Sequence, residues 1–472
     1  MKLPPLFLAL SVFVASGLNA QQVPNAQPNM PVSAADRFYT GDQFSNTVSV
    51  VDPSTNTLLG VIRLGDATPA NLSPLYKGQL LVHGMGFSPD RKTLAVTSIG
   101  SNSVTFIDTA TNAVKHTTYV GRSPHEVFFR PDGREAWVTV RGQDYVAVLD
   151  GKTYREVGRI KVPNGPGMTI FSPDGKYGYV CSSFAPETVV IDTSSKKIVG
   201  RVKQDSPFCP NIAATPDGRQ VWFTLKDIGK VMVFDARPPF TVLRSIPTGA
   251  ITNHVNFART PSGQFAYVTV GTEDVVKVYR TSDFEQAAAI AVGALPHGLW
   301  PSGDGSRIYV GLENGDSVAA IDTQTNKVIA TIPIGQGPQG VVYVPGAVPA
   351  GADRAANLMP LAVAGQKIQI KLSGTGASQV TLFDQGQIQI LQAAVAGLPP
   401  KMPFILGLSR RADGSGPIEP LAKFMTNPAG SAIVNAIGPL RQIVVEGGPE
   451  QRRYLVIIDG SSAAGPMLQV QQ

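Results

Sequence analysis

The chain has 472 residues, 43% of them hydrophobic and 16% charged, with 48 Gly and 38 Pro. It is long enough for two or three domains, and too apolar for a disordered protein. The formal net charge of +6 sits in short pairs such as Lys196-Lys197, Arg410-Arg411 and Arg452-Arg453, with no basic stripe, so no nucleic-acid partner is expected.

Residues 1–20, MKLPPLFLALSVFVASGLNA, have one positive residue, a short apolar run and a small residue at Ala20. This reads as a signal peptide cleaved after Ala20, with cleavage after Gly17 as the alternative, and implies a periplasmic or secreted product. Later apolar stretches fall short of about 18 residues, so no transmembrane segment is expected. Residues 21–36 read as a flexible polar arm.

From residue 37 to about 345 one unit recurs. Aligned on the fourth residue of its AYVT-like segment, the copies fall at Gly41, Thr97, Thr139, Cys181, Thr224, Thr269 and Gly311, in steps of 56, 42, 42, 43, 45 and 42 residues. The turn written SPD, RPDG, SPDG, TPDG, TPSG and SGDG keeps the same steps, at Asp90, Asp132, Asp174, Asp217, Ser262 and Asp304. Each unit contains four short alternating runs bounded by Gly, Pro, Asn and Asp, which predicts four strands and hence a seven-bladed β-propeller. The closing run GVVYV lacks partners of its own and is expected to complete the blade begun at Phe38. Residues 67–80 are an insertion in the first repeat, of the kind that maps to a binding face.

The words of the unit, YVT, N-TVSVID, TATN-KVI, TIPIG and P-x-G-V before SPDG, resemble the YVTN family of propeller repeats found in secreted and surface-layer proteins. That resemblance implies the propeller fold and export without naming a ligand. Some related seven-bladed propellers, the nitrous oxide reductase and cytochrome d1 domains among them, carry His-ligated metals or haem on one face. This sequence has four such His where a full ring would have seven, and lacks a CxxCH motif.

Residues 346–360 are an Ala/Gly/Pro-rich linker. In 361–472 the period is lost, but KIQIKL, QVTLFD, IQILQAAV, PFILGLS, SAIVNAI, QIVVEG and YLVIID still read as strands. The expectation is an all-β chain whose C-terminal domain is β-sandwich-like; an α/β module with a helix over 429–437 is the alternative.

Four of the five histidines share one register, the entrance to the innermost strand: His83, His125, His254 and His297, where other units place Gly167, Asn211 and Gln339. Converging imidazoles suit copper or zinc, an anion, or simply a polar channel lining. Arg122, Arg141 and Lys226 fall on flanking loops, and Glu126 follows His125, a set compatible with lactonase-like hydrolysis. Cys181 and Cys209 are read as a disulfide between neighbouring blades, with buried thiols or a metal thiolate as alternatives.

The repeated aspartates (Asp52, Asp108, Asp150, Asp192, Asp235, Asp322) read as turn residues and not calcium ligands. GQGPQG formally matches a dinucleotide fingerprint, but Pro338 leads it into a strand and no helix follows. The chain is thus expected to be an exported binding protein, taking an unidentified protein or small-molecule ligand at its funnel face, with possible surface association. The alternative is a metal-dependent redox protein or hydrolase at the same histidines.

Overall fold

The computed structural model describes residues 30–65, 80–361, 367–384, 389–446, 448–461 and 465–472. The leader, the first part of the arm and all of the insertion but Leu80 lie outside them.

Within each repeat the two middle strands are buried almost throughout, as in Tyr145–Asp150, while the outermost alternates, as in Glu156–Lys161. Such a set cannot cover its own faces and must stack on its neighbours. Accordingly, the described chain from Arg37 to Val344 forms seven four-stranded antiparallel sheets. The last strand, Pro338–Val344, pairs with the first, Arg37–Asp42, setting Phe38 opposite Tyr343 and Tyr39 opposite Val342. This seals the ring and leaves no open edge between first and last repeats.

Each marker used to find the repeat has a structural job. Asp108 Oδ1 accepts hydrogen bonds from the Ala110 and Thr111 amides, Asp322 Oδ1 from Gln324 and Thr325, and Asp174 Oδ1 from the Ser172 hydroxyl and the Lys176 amide. The repeated threonine joins blades: Thr97 Oγ1 donates to His125 O at 2.8 Å, Thr139 to Gly167 O at 3.0 Å, Thr224 to Asn253 O at 2.8 Å and Thr269 to His297 O at 2.7 Å. Each acceptor lies on the innermost strand of the next blade.

Where Thr gives way to Cys181, a disulfide to Cys209 makes the same blade-to-blade tie, with Cα atoms 5.9 Å apart and a sequence separation of 28. Closing a loop of that length is worth about 3–4 kcal/mol on the chain-entropy model. Where it gives way to Gly41, the backbones close in, and a Cβ there would lie 2.5 Å from His83 O.

Described residues of the arm are tied down. The Asp36 carboxylate accepts from the Tyr343 hydroxyl and the Gly346 amide, and Ala35 O accepts from Val348 N. The linker follows the outside of the ring, where Asn112 Nδ2 donates to Ala356 O and Met359 bridges to Val61.

Beyond it, one eight-stranded antiparallel sheet curls into a nearly closed barrel. Its end strands, Ile418–Met425 and Ala432–Gly438, touch without a ladder between them. Leu372, Leu391, Leu406, Leu455 and Ile457 fill its core. Residues 429–437 hold a strand and no helix, whereas Gln442–Glu446, within the run QIVVEG read as a strand, is a π-helical turn. Gln389 Oε1 accepts the Leu440 and Arg441 amides there and starts the turn, and Val444 is buried beneath it. Ile418–Met425 and Met467–Gln471 are strands that the alternation did not reveal.

Candidate functional site

The innermost strands enter through a bulge. In Pro124–Phe129 the ladder slips between Pro124 and Val127, and equivalent slips occur in the strands carrying His83, His254 and His297. The extra residue lets the register residue leave the sheet plane. The threonine clamp fixes the bulge: Thr97 Oγ1 accepts the Gly84 amide, Thr139 Oγ1 that of Glu126, and Thr269 Oγ1 that of His254.

Four imidazoles consequently meet on the ring axis. Ring centroids are 4.4 Å apart for His83 and His125, 6.4 Å for His83 and His297, and 4.8 Å for His254 and His297. None is more than 7% exposed, so the histidines stand in a closed chamber and not at an open wet mouth. His116, outside this register, sits on the outer strand Val114–Tyr119.

Burial disfavours the imidazolium, and the Arg141 and Lys226 charges add to this at His83; His83 and His254 are pulled down to about 3, and His125 and His297 well below the ordinary value. All four are neutral at pH 7. Their tautomers follow from their partners. His125 Nδ1 donates to Gly167 O at 2.7 Å and His297 Nδ1 to Gln339 O at 3.3 Å, leaving each Nε2 with its lone pair. His254 Nδ1 instead accepts the Asn211 amide at 3.1 Å. His83 Nδ1 and His254 Nε2 are buried without a partner.

Glu126 is 3% exposed and points into the same space. Gly84 makes room for it: a Cβ there would lie 2.3 Å from Glu126 Oε2. Burial pushes its carboxyl up to about 8 against a bond from the Met85 backbone, and Oε1 has no partner.

Arg141, Lys226 and Glu313 occupy one register, two residues beyond Thr139, Thr224 and Gly311. Arg141 and Lys226 are half-buried, and desolvation lowers both, Arg141 to about 10; the guanidinium lies 5.0 Å from the Phe208 ring centroid. Glu313 is buried, its Oε2 4.0 Å from His297 Nε2 and without a hydrogen bond. Because His297 is neutral, that contact is no ion pair.

The barrel roofs this part of the chamber. Gln392 Nε2 donates to Glu313 Oε1 at 3.0 Å, Gln379 donates to Asp274, and Phe383 packs on Phe44 in a tilted pair with centroids 4.8 Å apart. Ala394 and Ile433 of the barrel pack against Ile251 and Leu295.

Of the expected site residues, Arg122 stays outside: its guanidinium bonds Gly142 O on the exposed rim. Asn211 and Gln339 are buried, Asn211 bridging His254 and Met168 Sδ, and Gln339 lying beside His297. Glu313 and Gln392 were not anticipated. The first was legible from its register with Arg141 and Lys226; the second has no local signal. Past the histidines the channel narrows, with Phe128 stacked on Trp300 at 6.3 Å; a free volume of about 20 Å³, room for a single water, lies between Glu126, Asn211 and His254 on its polar side and Met85, Met168 and Leu299 on its apolar side.

No family model matches this chain, and no curated protein does. Among solved structures it is similar to a hydrazine synthase structure from Kuenenia stuttgartiensis, at 22% identity and a TM-score of 0.50, covering 56% of this chain and 90% of that one. It is also similar to a functionally unknown protein from Desulfotomaculum acetoxidans, at 15% identity and a TM-score of 0.53, covering 65% and 98%. At these identities the likeness concerns the propeller fold alone. Among the described residues, no helix is long and apolar enough to cross a membrane.

Proposed function

We propose that the chain is an exported binding protein that takes a small anionic ligand into the chamber between the propeller's funnel face and the C-terminal barrel. One observation carries this reading. Arg141 and Lys226 extend two half-buried cationic groups over neutral imidazoles, and among the described residues no acidic side chain forms a salt bridge with either, the Glu313 carboxylate acting on Lys226 only through space. Cations held out of water in this way favour an incoming carboxylate or phosphate. The stacked Phe208 ring keeps the guanidinium in place.

Export rests on the leader-like residues 1–20 and is supported by the Cys181–Cys209 disulfide, a bond suited to an oxidising compartment. The lactonase-like alternative is less well supported, because Arg122 is directed away from the chamber.

Calorimetric titration of the full mature chain with inorganic phosphate and with succinate, beside Arg141→Ala and Lys226→Ala, tests the reading. Binding by the parent to either probe, weakened about tenfold or more by each substitution, is expected from the loss of a hydrogen bond to a charged group. Parent protein that binds neither anion defeats it. Amino-terminal sequencing of the protein from its native compartment tests export, with Gln21 the expected first residue.

A further inference from the structure

Beyond anion binding, we infer that His83, His125 and Glu126 form a binding site for one divalent first-row transition ion on the chamber floor. One nitrogen from each imidazole and one carboxylate oxygen lie within 4.8 Å of one another, and all three residues are buried. Ligands at about 2.0–2.2 Å around a tetrahedral ion stand about 3.3–3.6 Å apart, so the three side chains have to close by up to about 1 Å as the ion enters.

Three further features fit a metal. First, His83 Nδ1 and Glu126 Oε1 are buried without a hydrogen-bond partner, which an ion would supply to both. Second, His125 Nδ1–H is committed to Gly167 O, which fixes the ring and leaves Nε2 for the ion, the outer-shell arrangement that orients metal-bound imidazoles. Third, Glu126 stands where the other innermost strands carry Gly84, Met168, Ile212, Val255, Gly298 and Gly340. Gly84, facing it across the blade boundary, has no side chain to exclude the carboxylate.

Two imidazoles and one carboxylate favour zinc, copper or iron over calcium or magnesium, which take mainly oxygen ligands. The remaining coordination positions are left for water or an exogenous anion.

The test uses the full chain, stripped with a chelator and titrated with Zn²⁺ by calorimetry, with elemental analysis after dialysis and Co²⁺ visible absorption as an independent readout of coordination. The parent is expected to bind one equivalent. Glu126→Gln, which keeps size and polarity, is expected to weaken it at least about tenfold, and so is Gly84→Ala, which leaves all three ligands present. The control His116→Gln should keep the parent's affinity. A parent that takes up no ion overturns the inference. So does affinity unchanged in Glu126→Gln, or lost in His116→Gln, which would place the ion at the surface. Thermal unfolding of each variant identifies any that fail to fold. The phosphate titration is run on metal-free protein, so either reading can fail without the other.

Discussion

The two ends of the central channel are lined by the same seven strands, yet they differ in what they present to the axis. At the funnel end, His83 and Glu126 bring polar atoms without partners into a chamber roofed by Gln392. Two residues beyond Glu126 on the same strand Phe128 stacks on Trp300, and the channel shrinks to room for about one water, bounded by Glu126 and His254 from above. The lower end follows the repeat, in which apolar residues from every blade meet on the axis and pack. The upper end departs from it, at the bulge, where each blade can present a different side chain without disturbing the ladder. On the proposed reading, packing is therefore concentrated below, and binding above.

Three substitutions or conditions probe that contrast. The largest effect is expected from Phe128→Ala, which removes a ring 2% exposed in the plug: about 3–5 kcal/mol of unfolding free energy by urea titration. Phosphate and Zn²⁺ affinities should stay unchanged. An affinity loss matching the stability loss would mean the two ends are one unit.

Acid should act on the upper end. His254 is pulled down to about 3 from 6.5, so between these values the unfolded chain binds a proton that the folded chain refuses. Stability is fully present above pH 6.5 and is lost as pH falls toward 3, by up to about 1.4 kcal/mol per pH unit for this group. His254→Gln should flatten that fall, measured as unfolding free energy against pH. A variant with the parent's slope would show that His254 is not held neutral by burial.

The smallest change is expected for Thr139→Val, which removes the hydroxyl joining Gly167 O and the Glu126 amide. About 1 kcal/mol of stability should go, and Zn²⁺ affinity should fall more than in Phe128→Ala, because the clamp positions the bulge. Equal Zn²⁺ affinity in the two variants would deny the clamp that positioning role.

Much of this architecture was legible in the sequence. The period, the closure of Pro338–Val344 onto Arg37–Asp42 and the turn role of the repeated aspartates all rest on turn chemistry and alternation within about one repeat. The histidine register was equally plain, since equal steps along the chain become equal positions around a ring. The barrel's strand order was not legible: its ladders join distant segments, as Gln389–Val395 pairs with Ala432–Gly438, and weak alternation hid two strands. Nor does any local signal place Gln392 on Glu313.

Sequence alone thus determined the repeat unit, the number of blades, their closure and which residues share a register, because these are set by contacts within a repeat or between successive repeats. Tertiary structure decided which register residues meet: that Glu126 fills the space left by Gly84, that Arg141 and Lys226 enter the chamber while Arg122 does not, and that the barrel covers it. Those outcomes depend on bulge geometry, ring closure and domain docking. Each joins residues far apart in the chain, and their shared environment exists only after the ring has closed.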